Sequence, residues 1–474
     1  MNFEAVIGLE IHVQMKTKSK MFSAAPVTYG AYPNYEVSIV DMAFPGTMPV
    51  VNKQAVINGI RVAHALHMEI DHELHFDRKN YFYSDLPKGF QITQDKRPIG
   101  HDGYLTITTS KGKKNIGVER IHLEEDTCKQ LHFNDYTLVD YNRAGIPLAE
   151  IVSRPEMRSG EEAQKYVETI RSIVSFLDVS DGKMEEGSLR CDVNVSIRPV
   201  GSEKFGTKVE IKNLNSISNV KEAIDYEVKR QEEVLLSGGE VRQETRRFDE
   251  ATKTTVLMRL KTDAVDYKYF PEANIPPIKL SDEFVQNAID TMNELASSKM
   301  ERYLALGLNE YDASVLIQNR ETSDYFDKCT KTNANPKLLA NWIIGDIQAI
   351  LNKEEITMDE FVITPEHLGE LVDLIDKKVI SNKQAREVFE VMLKKNESPK
   401  DIVKSMGATM VSDTSTIEAY IKEVLDKNPQ SIIDYKNGKD RALGFLVGQV
   451  MKLSKGQANP GLTSNMIKEE LKRR

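Results

Sequence analysis

Residues 183–199 read KMEEGSLRCDVNVSIRP, and the second half of this stretch decides the fold prediction. From Ser188 to Arg198 the even positions are polar, whereas the odd positions are Leu, Cys, Val, Val and Ile. Because neighbouring side chains of a strand point to opposite faces, this alternation predicts a half-buried β-strand. The polar face is richer in charge and hydrogen-bonding groups than a solvated face requires, so we expect it to form the floor of a binding site. Its members are Ser188, Arg190, Asp192, Asn194, Ser196 and Arg198.

Length and composition indicate a multidomain globular protein. A chain of 474 residues exceeds one ordinary core and predicts two to four domains. We expect a cytoplasmic location, because the first residues lack the pattern of a secretory signal and no apolar run reaches the roughly 20 residues that span a bilayer. The cysteines are too few and too widely spaced for a disulfide framework or a cysteine zinc site. They are Cys128, Cys191 and Cys329.

Charge is distributed unevenly along the chain. The net charge is -9, yet the segment from Tyr435 to Arg474 has nine Lys or Arg against three Asp or Glu, a net +6. A basic tail on an acidic body predicts contact with an anionic partner, nucleic acid first of all. The alternative is an ordinary solvated surface.

The order of the elements predicts an α+β fold. Residues 1 to about 280 contain short alternating segments interrupted by helical patterns at Val51–Leu66 and Gly160–Leu177. Helices do not separate the strands regularly, which argues against a parallel doubly wound sheet. The prolines of segment 270–277 make it the best linker candidate. Beyond it the pattern is helical, and Thr364 is a predicted N-cap followed by proline.

Three domains are therefore predicted. Residues 1–290 form a catalytic domain built on an antiparallel sheet, residues 291–407 form a helical domain, and residues 408–474 form a small, basic, all-α tail domain.

Several acidic residues and one histidine predict a cation site. Glu10 and His12 are two apart in a strand-like run, so their side chains share a face. Isolated carboxylates recur at residues 124–126 and at Glu150. Together these groups suit a hard divalent cation such as Mg²⁺, which prefers a few carboxylates with water and phosphate oxygens. The alternative is that the acidic residues are only solvated.

A second alternating run, Phe205–Asn213, puts Lys208, Glu210 and Lys212 on one face. It is expected to pair antiparallel with the strand at 188–198. The combined face mixes cations suited to phosphate with carboxylates suited to a metal, as phosphoryl transfer requires. A salt-bridged exposed sheet is the alternative interpretation.

Missing motifs narrow the chemistry further. The chain has neither a Gly-x-x-x-x-Gly-Lys-Ser/Thr loop nor a Gly-x-Gly-x-x-Gly motif, so any nucleotide must be held by another architecture. It also has no Gly-x-Ser-x-Gly elbow. We therefore do not expect it to hydrolyse an amide itself. The remaining alternatives are a non-catalytic RNA-binding scaffold and a metal-dependent hydrolase.

The run VDYNRAGIPLAEI at 139–151 closely resembles the signature of the B subunit of aspartyl/glutamyl-tRNA amidotransferases. Further segments resembling that family span nearly the whole chain. They are Val6–His12, Asp77–Tyr83, His122–Asp126, Met184–Asp192, Gly206–Asn215, Gln243–Phe248, Asp266–Pro271 and Gly444–Pro460.

The resemblance implies an ATP-dependent ligase of the carbon–nitrogen class that takes its nitrogen from glutamine. An amidase-type A subunit would release ammonia, and a small C subunit would complete a heterotrimer. The B subunit would phosphorylate the side-chain carboxylate of mischarged Glu-tRNA(Gln) or Asp-tRNA(Asn), and ammonia would then displace the phosphate. The implied N-terminal fold is similar to the catalytic fold of glutamine synthetase and guanido kinases, followed by a helical domain and a tRNA-binding tail.

The resemblance also implies roles for individual residues. Those expected to associate with Mg²⁺ are Glu10, His12, Glu125 and Glu150, of which Glu125 and Glu150 are also expected to be catalytic. Arg190 and Lys79 are predicted to contact ATP phosphates and to be catalytic, with Asp192 and Glu210 as further nucleotide or metal ligands. No structural zinc is expected, because the positions where many family members carry zinc-binding cysteines differ here. They are Ser23, Ala25, Ser38 and Asp41.

Overall fold

A computed structural model describes most of the chain. The described residues are 2–260, 266–395, 397–406, 414–436, 439, 441–454, 458 and 460–473. They fall into two compact units, Met1–Ala296 and Ser297–Arg474. No described helix is both long enough and apolar enough to cross a bilayer.

The first unit contains the strands. They are β1 Phe3–Gln14, β2 Glu69–Ile70, β3 Glu73–Leu74, β4 Asp77–Asn80, β5 Phe90–Thr93, β6 Gly100–Thr109, β7 Gly112–Glu125, β8 Lys129–His132, β9 Thr137–Asp140, β10 Pro147–Ser153, β11 Leu189–Pro199, β12 Val209–Lys212, β13 Glu244–Asp249, β14 Thr254–Leu260, β15 Phe270–Pro271 and β16 Ile278–Lys279. Its helices are α1 Lys53–Ala65, α2 Gly160–Phe176, α3 Ile217–Leu236 and α4 Asp282–Asp290.

Nine of the described strands form one sheet, in the order β14-β13-β12-β11-β1-β10-β7-β6-β2. Its pairings are antiparallel except that between β12 and β13. The predicted antiparallel partnership of the runs at 188–198 and 205–213 is confirmed, with Val193 opposite Ile211. The mixed α/β character is also confirmed, with helices and strands in one unit.

One face of this sheet is buried against helices. The odd residues of β11, from Leu189 to Ile197, are all buried, and most of them join the main apolar core together with α1, α2 and α3. The predicted helices are confirmed as α1 and α2. Ser159 begins α2 by accepting a hydrogen bond from the amide of Glu162, which satisfies one of the free N–H groups of the first turn. The opposite face carries the polar side chains of the candidate site, several of which are buried.

The linker predicted at 270–277 is wrong. Phe270 and Pro271 pair with β4, and Ile278 and Lys279 pair with β3, so the segment is tied into the first unit. Glu272 is buried and holds Arg78 through two hydrogen bonds. Prolines at the ends of very short edge strands are compatible with such pairing, because an edge strand has one side on which no N–H is needed.

The second unit is helical in its described part. Its helices are α5 Ala296–Ala305, α6 Glu310–Leu316, α7 Arg320–Thr330, α8 Pro336–Trp342, a π-helical turn Ile343–Ile347, α9 Gln348–Glu354, a 3₁₀ turn Met358–Glu360, α10 Pro365–Asp376, α11 Asn382–Lys395, α12 Pro399–Met406, α13 Thr414–Lys427, α14 Pro429–Lys436, α15 Arg441–Leu453 and α16 Pro460–Arg473. The Thr364 cap is confirmed, because its hydroxyl accepts from the amide of His367.

Two apolar clusters lie within this second unit. One extends from Tyr303 to Val403 and the other from Ile417 to Leu471. The boundary predicted between 407 and 408 falls outside the described residues. The three-part division therefore stays a prediction.

Candidate functional site

A row of polar side chains crosses the open face of the sheet. The register of β7, β10, β1 and β11 places His122 opposite Glu150, Glu150 opposite His12, and His12 opposite Arg190. Directly opposed residues of antiparallel strands have Cβ atoms about 5 Å apart. Side chains from four distant parts of the sequence therefore meet here.

Two carboxylates and two imidazoles are in direct contact in this row. The Oε2 atom of Glu150 lies 3.4 Å from Nε2 of His12 and 3.2 Å from Nε2 of His122. Glu124 adds a second carboxylate, 3.5 Å from His122 and 3.9 Å from His12. We call His12, His122, Glu124 and Glu150 the acid–imidazole cluster.

Mutual contact favours the charged forms of His12, His122 and Glu150. Burial alone lowers the pKa of His122, but the charges and hydrogen bonds of Glu150 and Glu124 outweigh it and raise that pKa to about 9. The pKa of His12 is likewise raised, with burial opposing and Glu150 prevailing. Burial works against ionisation of Glu150 as well, yet the two histidines hold its pKa well below the usual range. Glu150 thus carries a negative charge at neutral pH.

Three members of the cluster have the geometry of a metal site. The ligand atoms of His12, Glu124 and Glu150 lie within 4.8 Å of one another. Two carboxylates and an imidazole form a donor set that fits a divalent cation. A cation bound here would replace the proton on His12, because only a neutral imidazole can ligate a metal.

Of the four residues predicted to hold a metal, the structure brings His12 and Glu150 together. Glu10 lies on the same face but accepts a hydrogen bond of 2.9 Å from the side-chain amide of Asn194. Glu125 is buried, ion-paired with Lys88 and bonded to the amide of Ile92 at 3.0 Å. Within the described part of the chain, neither Glu10 nor Glu125 belongs to a group with metal-ligand geometry.

Arg190 reaches the sheet face with a carboxylate already beside it. One of its terminal nitrogens lies 2.9 Å from Oδ2 of buried Asp126, which also accepts a 2.6 Å hydrogen bond from Gln14. The charge of Arg190 lowers the pKa of Asp126 despite burial. Arg190 therefore borders the cluster with much of its charge compensated.

Lys79 lies among tyrosines rather than carboxylates. Its ammonium is 4.8 Å from the ring centre of Tyr267 and 5.8 Å from that of Tyr81. Burial, followed by the charge of Glu124, raises the pKa of Tyr81, which places this tyrosine close to the cluster. Lys79 is thus a cation within an aromatic border of the site.

Asp192 and Glu210 share one cation on the neighbouring strands. Lys212 is ion-paired with Asp192 and lies 3.4 Å from Glu210, which also accepts a 2.8 Å hydrogen bond from Thr245. These carboxylates continue the polar face toward β13.

A cavity of about 230 Å³ adjoins the acid–imidazole cluster along β1 and β11. Gly8 leaves room on its floor, and Gly206 approaches the carbonyl oxygen of Ile197 so closely that a Cβ would lie 2.0 Å from it. The cavity is lined by Val6, Gly8, Leu9, Glu10, Val152, Ser153, Pro155, Asn194, Ser196, Phe205, Gly206 and Lys208.

The sequence analysis assigns no role to His122, and it includes Glu124 and Asp126 only as members of the acidic run at 124–126 that is predicted to bind a cation. The signal for His122 is the alternation of β7, because the neighbouring Ile121 and Leu123 are buried in the core. At Asp41, one of the four positions where many family members carry a zinc-binding cysteine, the structure has a buried ion pair. Asp41 is buried and lies 3.2 Å from the ammonium of fully buried Lys20.

A polar sheet face that bears a candidate metal site beside a cavity indicates a catalytic domain, and the comparisons give its class. Residues 5–286 match the family model described as the GatB/GatE catalytic domain, and residues 324–471 match that described as the GatB domain. Similar proteins include the B subunits of the aspartyl/glutamyl-tRNA(Asn/Gln) amidotransferases of Enterococcus faecalis and Geobacillus thermodenitrificans, each 51% identical over 476 residues. That of Bacillus cereus is 50% identical over 475 residues, and in all three cases the match covers 100% of both chains.

The chain belongs to the family of B subunits of aspartyl/glutamyl-tRNA(Asn/Gln) amidotransferases. It is thus one subunit of a multi-subunit amidotransferase, a ligase of the translation apparatus.

Proposed function

We propose that the open sheet face is the site at which ATP phosphorylates the side-chain carboxylate of Glu-tRNA(Gln) or Asp-tRNA(Asn). Ammonia then displaces the phosphate to give the amide, as in the carbon–nitrogen ligases EC 6.3.5.-. One observation carries this proposal: a group with metal-ligand geometry adjoins a cavity lined by Glu10, Asn194 and Lys208. A carboxylate has no leaving group of its own, so activation must precede attack by ammonia.

His12, Glu124 and Glu150 are the residues that would hold Mg²⁺. The cation supplies charge neutralisation for phosphate oxygens when bound. Glu150 stays ionised because its pKa is depressed, and the charge of His122 helps to keep it so. Glu10 and Glu125 are not among the residues proposed here to hold the metal, because Glu10 faces the cavity and Glu125 is paired with Lys88.

The residues around the acid–imidazole cluster would bind the nucleotide and the aminoacyl end of the tRNA. Lys208 is exposed at the cavity and is suited to phosphate. Lys79 and Arg190 retain their proposed phosphate and catalytic roles at the border of the cluster. Asp192 and Glu210 would act through Lys212, which they hold in place, and so position a cation beside the nucleotide.

We further propose that the chain assembles with a glutaminase A subunit and a small C subunit into a cytoplasmic heterotrimer. The similar proteins are B subunits, which supports a complex of several subunits. The sheet would be the cradle of the glutamine synthetase and guanido kinase type, which its antiparallel topology supports. The basic tail would contact tRNA.

The test is reconstitution with both partner subunits, glutamine, ATP and each mischarged tRNA. Glu150→Gln is expected to reduce tRNA-dependent ATP turnover by at least about 100-fold while glutaminase activity persists, because phosphate charge loses its main stabiliser. Glu301→Gln, on an exposed helical position, is the matched control.

The alternative function is a non-catalytic tRNA-binding scaffold. It predicts that Glu150→Gln and Glu301→Gln behave alike in ATP turnover. Equal, wild-type rates for the two variants would reject the proposed phosphorylation site.

A further inference from the structure

Arg120 on β7 is a half-buried cation that forms no ion pair with any residue in the described part of the chain. It lies opposite His101 on β6 and Val152 on β10, and the alternation of β7 puts it on the same face as His122 and Glu124. Its Nε atom is buried and has no hydrogen-bond partner. Among the described residues, no ion pair joins Arg120 to a carboxylate.

Three other arginines of the first unit are each paired with a carboxylate. Arg190 lies 2.9 Å from Asp126, Arg198 lies 2.6 Å from Glu4, and Arg78 is held by Glu272. A buried charge without a partner is costly, so a protein that retains one commonly has a ligand of opposite charge. Arg120 therefore indicates where an anion binds.

The position of Arg120 connects the two parts of the proposed site. Val152, directly opposite it, lines the cavity, while Glu150 is its diagonal neighbour across the strands. Diagonal neighbours are about 7–8 Å apart, within reach of an arginine side chain. Tyr269 is close to both groups, because the charges of Glu150 and Arg120 act on its pKa in opposite directions. An anion bound by Arg120 would thus lie between the cavity and the acid–imidazole cluster.

We propose that Arg120 is a catalytic residue that binds the phosphoryl group during its transfer from ATP to the substrate carboxylate. This inference rests on the proposed function. The carboxylate oxygen forms a bond to the γ-phosphorus while the bond from that phosphorus to the bridging oxygen breaks and leaves its electron pair on ADP. The guanidinium donates N–H hydrogen bonds to the equatorial oxygens and transfers no proton.

The test uses the reconstituted complex with Arg120→Met, Arg120→Lys and a matched control, Arg97→Lys, whose residue is paired with Asp71 and Glu73. Arg120→Met is expected to lower kcat for tRNA-dependent ATP turnover by about 100- to 1,000-fold, the usual loss of one preorganised donor to a transition state. Arg120→Lys restores part of this loss, since it keeps the charge without the planar pair of donors. Arg97→Lys retains the wild-type kcat.

Nucleotide binding separates catalysis from a structural role. Titration of the complex with ATP and with AMP should show weaker ATP binding in Arg120→Met, whereas AMP, which lacks the γ-phosphate, binds as in the wild type. Equal weakening of both nucleotides together with a lower melting temperature would overturn the proposal. A kcat of Arg120→Met within threefold of the wild-type value, measured in a complex whose wild type turns over ATP, would also overturn the proposal for Arg120. That outcome would not contradict the proposed function. A wild-type complex without ATP turnover would reject both.

Discussion

At the scale of single residues, the site depends on which of two adjacent glutamates faces it. Glu124 contacts both histidines of the acid–imidazole cluster, while Glu125 accepts the amide of Ile92 and pairs with Lys88. Adjacent strand residues point in opposite directions, so one substitution at each position separates the two roles.

Glu124→Gln is expected to lower Mn²⁺ or Mg²⁺ affinity at least about tenfold, because it removes one charged ligand of the group. Glu125→Gln should keep metal affinity but lower the free energy of unfolding by about 3 kcal/mol, since Lys88 would remain buried without its partner. Metal titration by calorimetry and urea unfolding measure the two effects. If Glu125→Gln lowered metal affinity and Glu124→Gln did not, Glu125 would be the metal ligand.

Much of this polar face was predictable from alternation alone. The pattern of residues 188–198 and the spacing of Glu10 and His12 put the right side chains on one face, because strand parity is a local property. Choosing between Glu124 and Glu125 required the register of β7 against β10, which is a long-range property. The same holds for the Arg190–Asp126 pair, which joins two separate segments.

At the scale of elements, the close approach of the 205–207 segment to β11 shapes the cavity. Gly206 has no room for a Cβ, whereas a Cβ on Gly8 would meet its nearest neighbour, Pro155, at 3.8 Å. Both glycines line the same cavity.

Gly206→Ala is therefore expected to lower the free energy of unfolding by about 1–3 kcal/mol and to weaken nucleotide binding, because backbone must move to admit the methyl group. Gly8→Ala is the matched control and should leave the unfolding midpoint near that of the wild type. Urea unfolding and ATP titration measure both variants. Similar destabilisation by the two substitutions would contradict the steric explanation.

In the second unit, α5 and α7 are joined by buried charge. Lys299 is nearly inaccessible and lies 2.6 Å from Asp324 and 2.8 Å from Asp327, which also contacts Arg302 at 2.9 Å. Burial opposes ionisation of Asp327, but its hydrogen bonds to Arg302 and Lys299 lower its pKa.

A carboxyl whose pKa is depressed by folding contributes stability above its unfolded pKa, about 3.9, and that contribution is lost as the pH falls through the folded value. We expect Asp327→Asn to cost about 3 kcal/mol at pH 7 and to flatten the decline in stability below about pH 4. Asp373→Asn, in an i,i+4 pair with exposed Lys377, should cost under about 0.5 kcal/mol. Urea unfolding between pH 2.5 and 7 distinguishes them, and parallel pH curves for Asp327→Asn and the wild type would refute the expectation.

Element identity was largely predictable, whereas connections were not. The predictions for α1, α2 and the cap of α10 follow from apolar spacing and capping residues, which are local signals. The prediction of a linker at segment 270–277 is wrong because proline does not exclude strand pairing there. Two-residue edge strands tolerate proline, since so few N–H groups are needed.

At the scale of the whole molecule, the two ends of the chain carry different chemistry. The candidate site lies in the unit Met1–Ala296, and the basic segment lies at the far end of the sequence of the other unit. Length alone indicated more than one domain, but the extent of each domain depends on contacts that no local pattern encodes.

Removal of the residues after Ser412 is expected to weaken tRNA binding by the complex and to reduce its dependence on salt. For duplex nucleic acid, the slope of log affinity against log salt concentration becomes shallower by about 0.9 for each phosphate that no longer has a cationic partner. Filter binding at several salt concentrations measures the slope, and ATP binding should be retained. An unchanged affinity and slope would exclude the tail from tRNA recognition.

The first strand of the chain is the fifth of nine in the sheet, with β10 and β11 as its neighbours. During synthesis, β1 leaves the ribosome long before either neighbour. Both edges of β1 can be paired only after the chain has been made up to Pro199, where β11 ends. The acid–imidazole cluster can therefore assemble only after about a third of the polypeptide, up to Glu150, has been made.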